Sequence, residues 1–350
     1  MTERDIEYIT AVLKGRTPKK EPEWYGMLGF LQFHRIAGLF YNRAKKQNIA
    51  LPLKLDKLLG QTFEGQRRRV RMMREHLKEV SAGMIGAGAR HIALKGSVLA
   101  NLADSNIYED GERVSDDIDL LVSPTELTKV SEVLRRWGYI QGTYCAEKYE
   151  ITPFSRYEIL SRRMNRGEIA PFLKLTDSAE LPYVEIDVNF SLGNTPEEGR
   201  VLLEAMLDSA SVYDGKVRMQ VADSEMFFLH LVMHQYKESC LTFASRRGKD
   251  LDLYKLADLY YLLKSDALDM KSLKTLTGKY ELAQELGAVC EQVGKAFGDE
   301  EILELAEQYP HCQPEVRDYE QRKSYVWPID IRARLLDAEA WRQLKEKEWR

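Results

Sequence analysis

His91-Ile-Ala-Leu-Lys-Gly-Ser-Val-Leu99 and, further along, Ser115-Asp-Asp-Ile-Asp-Leu-Leu-Val122 are the two halves of the stretch that decides how this chain folds. In the second half acid and aliphatic residues alternate, Asp117-Ile118-Asp119-Leu120. As a β-strand it puts both carboxylates on one face and the aliphatic side chains on the other. Two carboxylates held in that way chelate a metal. In the first half a short apolar run, Ile92 to Leu94, is broken by Gly96-Ser97 and followed by Val98, Leu99 and Leu102 at helical spacing. That pattern predicts strand, tight turn, helix N-terminus, an arrangement that offers backbone N–H groups, a hydroxyl and a helix dipole to a phosphate.

Further along, Tyr183-Val-Glu-Ile-Asp-Val-Asn-Phe190 is a run of strand-favouring residues with a third acid, Asp187, inside it. Leu94-Lys-Gly-Ser97, then Arg113, then Asp117 to Val122, together with Asp187, resemble the signature of an uncharacterised bacterial nucleotidyltransferase family of the DNA polymerase β-like superfamily. The resemblance spans about residues 92–263, and Asn189 stands where that family often carries a histidine. It implies an α+β fold: a polymerase β-like nucleotidyltransferase core, a mixed sheet with helices, over residues 91–222. A helical unit at 1–90 and another at 223–350 flank that core.

The implied chemistry is transfer of a nucleoside monophosphate from a nucleoside triphosphate to a hydroxyl or phosphate acceptor, with release of pyrophosphate. Asp117, Asp119 and Asp187 would then be the catalytic, metal-holding residues for two Mg²⁺ ions, with Mn²⁺ as the substitute; an all-oxygen donor set suits such hard cations. Lys95, Gly96, Ser97 and Arg113 would grip the nucleotide's phosphates, joined by His234 and Lys237 from the His-Gln-Tyr-Lys segment. Two other readings stay open. One is a transferase of the same fold that tailors a peptide, sugar or tRNA; the other is a non-catalytic nucleotide-binding protein.

Composition narrows the partners. The 350 residues carry 44% hydrophobic and 10% aromatic side chains, as a globular chain does. With 51 basic against 55 acidic residues the net charge is −4, which gives no long-range attraction to nucleic acid or anionic membrane. A small-molecule or peptide acceptor is therefore favoured over nucleic acid. Cys145, Cys240, Cys290 and Cys312 are too scattered for a zinc site or a disulfide framework. No apolar run is long enough to span a membrane and the N-terminus has no signal-peptide core, so a cytoplasmic enzyme is expected.

Elsewhere the pattern is mostly helical. Residues 4–88 read as helices, the last of them, from Leu55 to about Ile85, carrying the basic run Arg67-Arg68-Arg69-Val70-Arg71 and Arg74. Such a run is ordinarily a solvated face, and a phosphate-facing role is the alternative. A helix is expected over 125–137 and another over 201–208, with a hairpin turning at Asp214-Gly215. Residues 157–163 and 169–175 read as strands of a hairpin around Asn165-Arg166-Gly167, beside the Asp187 strand. Helices fill the chain from Asp223, the last an amphipathic one over 330–349. His230 and His234 have the spacing of zinc ligands on a helix, but the segment lacks the glutamate a zinc protease needs after its first histidine.

Overall fold

The computed structural model describes residues 1–102, 107–165, 167–193, 199–310 and 314–347. In chain order the elements are helices α1 (Glu3–Leu13), α2 (Met27–Phe33), α3 (Ala37–Lys46) and α4 (Leu53–Gly86); strand β1 (His91–Ala93); α5 (Lys95–Leu99); β2 (Asp117–Val122); α6 (Leu127–Arg136); β3 (Ile140–Cys145); β4 (Glu150–Pro153); α7 (Arg156–Asn165); β5 (Phe172–Ser178); β6 (Leu181–Asn189); α8 (Arg200–Asp208); β7 (Ser211–Asp214) and β8 (Arg218–Val221). There follow α9 (Ser224–Ser239), α10 (Thr242–Arg246), α11 (Leu253–Leu263), α12 (Met270–Lys279), α13 (Ala283–Phe297), α14 (Glu300–Ala306), β9 (Val316–Asp318), β10 (Lys323–Val326), α15 (Ile331–Leu336) and β11 (Lys345–Lys347). The fold is α+β, built on a mixed six-stranded sheet. Among the described residues no helix is long and apolar enough to cross a membrane.

The chain forms two compact units, Glu64–Phe227 and the combination of Met1–Phe63 with Phe228–Arg350. The first contains the sheet, in the order β1-β2-β6-β5-β3-β4. β2 and β6 run parallel, and the other neighbours are antiparallel. In β6 the period of two is explicit: Val184, Ile186 and Val188 are buried to the last few per cent, whereas Glu185, Asp187 and Asn189 are half-buried. Ile118, Leu120 and Val122 of β2 join that apolar face, so the sheet turns one side to the core and keeps its carboxylates on the other. From α4 the residues Met73, Leu77, Val80 and Met84 are buried at helical spacing.

The second unit is helical, with a small sheet in the order β11-β10-β9. α13 is buried along nearly its whole length, ends on Gly298 in the left-handed region and stacks Phe297 on Tyr260 of α11 at 4.3 Å. Two buried side chains tie the segments of this unit together. His34 bridges the backbone of Leu335 through Nε2 at 3.1 Å and accepts the Leu253 N–H at Nδ1. Arg334 pairs with Asp250 at 2.6 Å and lies over the Trp327 ring at 3.9 Å.

Two sequence expectations are corrected. Residues 157–163 form not a strand but helix α7: Ser155 and Glu158 cap it reciprocally, the Ser155 N–H donating to Glu158 Oε2 at 2.7 Å and the Glu158 N–H to Ser155 Oγ at 3.3 Å. Of the expected partner strand, residues 172–175 belong to β5, which pairs with β6 as anticipated; Arg166, at the centre of the expected turn, lies outside the described residues. The amphipathic helix expected over 330–349 is only the six-residue α15, capped by Asp330, and the chain then extends into β11. Pairing of β11 with β10, fastened at its side chains by Lys323 and Glu346 at 3.0 Å, outweighs the helical preference of that charged segment. The Asp214-Gly215 hairpin and the helix over 200–208 form as expected.

Candidate active site

The parallel ladder of β2 and β6 aligns Asp119 with Asp187 and Asp117 with Glu185. Residues opposite each other in a sheet point to the same face, so the pairing gathers the acids of both strands on one side. One oxygen from each of Asp117, Asp119 and Asp187 lies within 4.8 Å of the others, close enough to ligate common cations. The electrostatics are those of a site built for positive charge. Burial, then the neighbouring Asp117, pushes the Asp119 carboxyl up to about 6. Burial, then Asp119 and Asp117, pushes Asp187 up to about 8, and burial also raises Glu185. Carboxylates kept close together in a desolvated place are costly unless a cation compensates them.

The turn before the site follows from the β1–β2 register. β1 pairs Ala93 with Leu120, and the Leu94 N–H still donates to the Asp119 carbonyl at 3.0 Å. Lys95 is thus delivered beside Asp119. Its φ of +48° turns the chain sharply into α5, and its Nζ reaches Asp119 Oδ1 at 2.8 Å. Gly96 is required by close approach: a Cβ there would lie 3.0 Å from Ser115 Cβ, 2.9 Å from Ser115 Oγ and 3.3 Å from Arg113 Nη1. Ser97 is buried, and its Oγ has no hydrogen-bond partner among the described residues. That hydroxyl, Gly96, Arg113, Ser115 and Asp117 line one small cleft, floored by Val70, Met73 and Leu77 of α4.

A brace outside the expected set holds this turn. Asn101 Nδ2 donates to the Ser97 carbonyl at 2.9 Å, and Arg74 Nε donates to Asn101 Oδ1 at 2.7 Å. The Arg74 fork then grips Asp110 at 2.5 and 3.1 Å, with Lys216 at 3.3 Å from the same carboxylate. The Arg74 hydrogen bond holds the Asp110 carboxyl well below its ordinary range, at about 2. The other arginines of the α4 run are also engaged by acids: Arg67 with Glu64, Arg68 with Glu180, Arg69 with Asp116 and Arg71 with Asp110.

Of the residues singled out from sequence, Lys95, Gly96, Ser97, Arg113, Asp117, Asp119 and Asp187 belong to one compact unit, and all but Asp187 meet around the turn and its cleft or touch Asp119 directly. Asp187 joins them through the carboxylate cluster. His234 and Lys237 belong to the other unit, on α9, where the His234 ring stacks at 6.4 Å on His230 and its Nε2 lies 3.6 Å from Glu238. Glu238 in turn pairs with Lys255. Residues missed from sequence are Ser115, whose Oγ donates to Asp117 Oδ1 at 3.1 Å, and Asn101 and Asp110, which Arg74 of the basic run joins into a brace. Glu185 carried a readable signal, its spacing of two from Asp187; the brace carried none, since its members are far apart in the chain. Among the described residues Cys145, Cys240 and Cys290 form no disulfide, and Cys312 lies outside them.

A mixed sheet that presents an acid pair from one strand and a third acid from its parallel neighbour, beside a Gly-Ser turn, is the arrangement of a nucleotidyltransferase. The chain belongs to the uncharacterised nucleotidyltransferase family, whose model matches residues 20–298. Neither a curated protein nor a solved structure matches it.

Proposed function

We propose that the protein transfers a nucleoside monophosphate from a nucleoside triphosphate to a hydroxyl or phosphate acceptor, in a cytoplasmic setting, with Mg²⁺ as the natural ion and Mn²⁺ as its substitute. The observation that carries this reading is the cluster of Asp117, Asp119 and Asp187 beside the buried Ser97 hydroxyl, which has no partner among the described residues. Three carboxylates suit hard divalent cations, and a buried hydroxyl lacking an acceptor suits a phosphate oxygen. When bound, such cations neutralise charge on the phosphates and on the attacking oxygen.

The residues then divide the work. Asp117 and Asp119 would hold both ions, and Asp187 would hold the ion beside the acceptor oxygen. That oxygen forms its bond to the α-phosphorus as the bond to the bridging oxygen of the β-phosphate breaks, so pyrophosphate departs with the electron pair. Ser97 and the Gly96 backbone hold the β- and γ-phosphates, and Arg113, one wall of the same cleft, offsets charge that grows on them. The net charge of −4, which gives no long-range attraction to nucleic acid, favours a small-molecule or peptide acceptor.

A thermal-shift screen of the four nucleoside triphosphates, with and without Mg²⁺, tests the reading. The melting temperature is expected to rise when nucleotide and ion are present together and to rise far less with either alone. No rise with any of the four would overturn the proposal.

A further inference from the structure

Lys95 is a non-glycine residue at φ +48°. An L side chain there costs about 1–2 kcal/mol, a strain that persists only where the surroundings require it. Glycine at this position would relieve it, yet the glycine of the turn stands one residue later. What the strained backbone achieves is the placement of the Lys95 ammonium 2.8 Å from Asp119 Oδ1. Asp119 is at the bottom of the cluster, its side chain 3% exposed, whereas that of Lys95 is 23% exposed and so caps the carboxylate from the solvent side. A lysine ammonium is a point charge on a flexible stem, able to leave one anion for another nearby.

We propose that Lys95 is a built-in counter-ion that occupies the cation position at Asp119 until a triphosphate arrives, so that divalent ion and nucleotide load together. This rests on the nucleotidyl-transfer reading above. A divalent ion entering alone must displace the ammonium from Asp119 and leave two cations side by side without a new anion between them. A triphosphate would bring that anion: the ammonium would pass from Asp119 to a phosphate oxygen, leaving the Asp119 carboxylate to hold the ion. Each ligand then strengthens the other, and the coupling is reciprocal. Lys95 is a positioning residue in this scheme, and it offsets part of the repulsion that Asp117 exerts on Asp119 in the resting protein.

The test is direct titration of Mn²⁺, read as loss of the free-ion paramagnetic resonance signal, on the full chain without nucleotide. Lys95→Asn is the principal variant because asparagine tolerates the left-handed backbone; Lys95→Met removes the charge with similar bulk, and Lys95→Arg retains it. Lys95→Asn and Lys95→Met are expected to bind Mn²⁺ alone roughly tenfold tighter than the natural protein, with Lys95→Arg unchanged, since a competing positive charge has gone from a low-dielectric site. Thermal melts verify that the variants are folded. Equal Mn²⁺ affinity in the natural protein and Lys95→Asn would overturn the counter-ion role. A second arm adds α,β-methylene analogues of the four triphosphates: enhancement of Mn²⁺ binding in the natural protein, reduced to less than half in Lys95→Asn, supports the coupling. Absence of enhancement in the natural protein overturns it and the transferase reading together, whereas a loss of the Lys95→Asn difference alone spares that reading.

Discussion

Asp119 and Asp187 stand opposite each other in the parallel register of β2 and β6, and with Asp117 they converge to within 4.8 Å. If they share cations, no one of them is replaceable. Asp117→Asn or Asp119→Asn is expected to lower turnover by ~10³-fold or more while the far-ultraviolet circular dichroism stays unchanged, because loss of a metal ligand removes several kcal/mol of transition-state stabilisation. Asp187→Ala should stop chemistry yet leave triphosphate affinity close to that of the natural protein. Pyrophosphate release and calorimetric titration with a nonhydrolysable triphosphate measure the two quantities. An affinity loss for Asp187→Ala as large as that for Asp117→Ala would move Asp187 to the donor side.

Gly96 and Ser97 separate shape from bonding. Gly96→Ala would press its methyl group into Ser115 and Arg113, and is expected to cost ~1–3 kcal/mol in urea unfolding. Ser97→Ala removes a hydroxyl that has no partner among the described residues, so stability without ligand should hold or rise slightly. Triphosphate binding should nevertheless weaken by roughly tenfold or more, the value of one hydrogen bond to a charged group. Unchanged binding in Ser97→Ala would remove that residue from the phosphate site.

The α4 arginines differ sharply in what they hold. Arg74 is 13% exposed at its side chain and grips Asp110 by two bonds, so Arg74→Met is expected to cost about 2 kcal/mol and to loosen the turn carrying Ser97. Arg68 and Arg71 are more than half exposed, and their changes to Gln should scarcely alter stability. The same denaturation series decides it: equal losses at all three positions would deny Arg74 its bracing role. Binding of a mixed RNA pool should be weak and unaffected by the fourfold change of Arg67, Arg68, Arg69 and Arg71 to Gln; tight binding that falls steeply with salt and disappears in that variant would make α4 a docking surface.

His34 sets a pH dependence in the helical unit. Burial lowers it from 6.5 to about 4, so the native state holds it neutral. A depressed folded value means that its contribution is complete above pH 6.5 and is lost as pH falls toward 4. The melting temperature should therefore fall more steeply over that window in the natural protein than in His34→Gln, which cannot take up the proton. Parallel curves for the two proteins would show that His34 does not carry this loss.

How much of this was legible before the fold was known depends on the range of the interaction. The carboxylate strand, the Gly-Ser turn and the third acid at Asp187 were all written in local patterns of period two and in turn chemistry, and the sheet assembled them as read. α7 is signalled as well, in the Ser155 and Glu158 cap, although residues 157–163 read as one strand of a hairpin around Asn165-Arg166-Gly167. The C-terminal segment was not readable in this way, since whether Lys345–Lys347 is helix or strand is settled by β10 lying alongside.

The sequence by itself determined which residue types stand at the candidate site, because acid alternation, glycine and hydroxyl types are properties of single positions and their near neighbours. Only the tertiary structure decided that Asp119 meets Asp187, that Lys95 turns its ammonium onto Asp119, and that Arg74 is committed to Asp110 rather than to a ligand. Those are contacts between residues far apart in the chain, fixed by strand register and by the burial that forces each charge to find a partner.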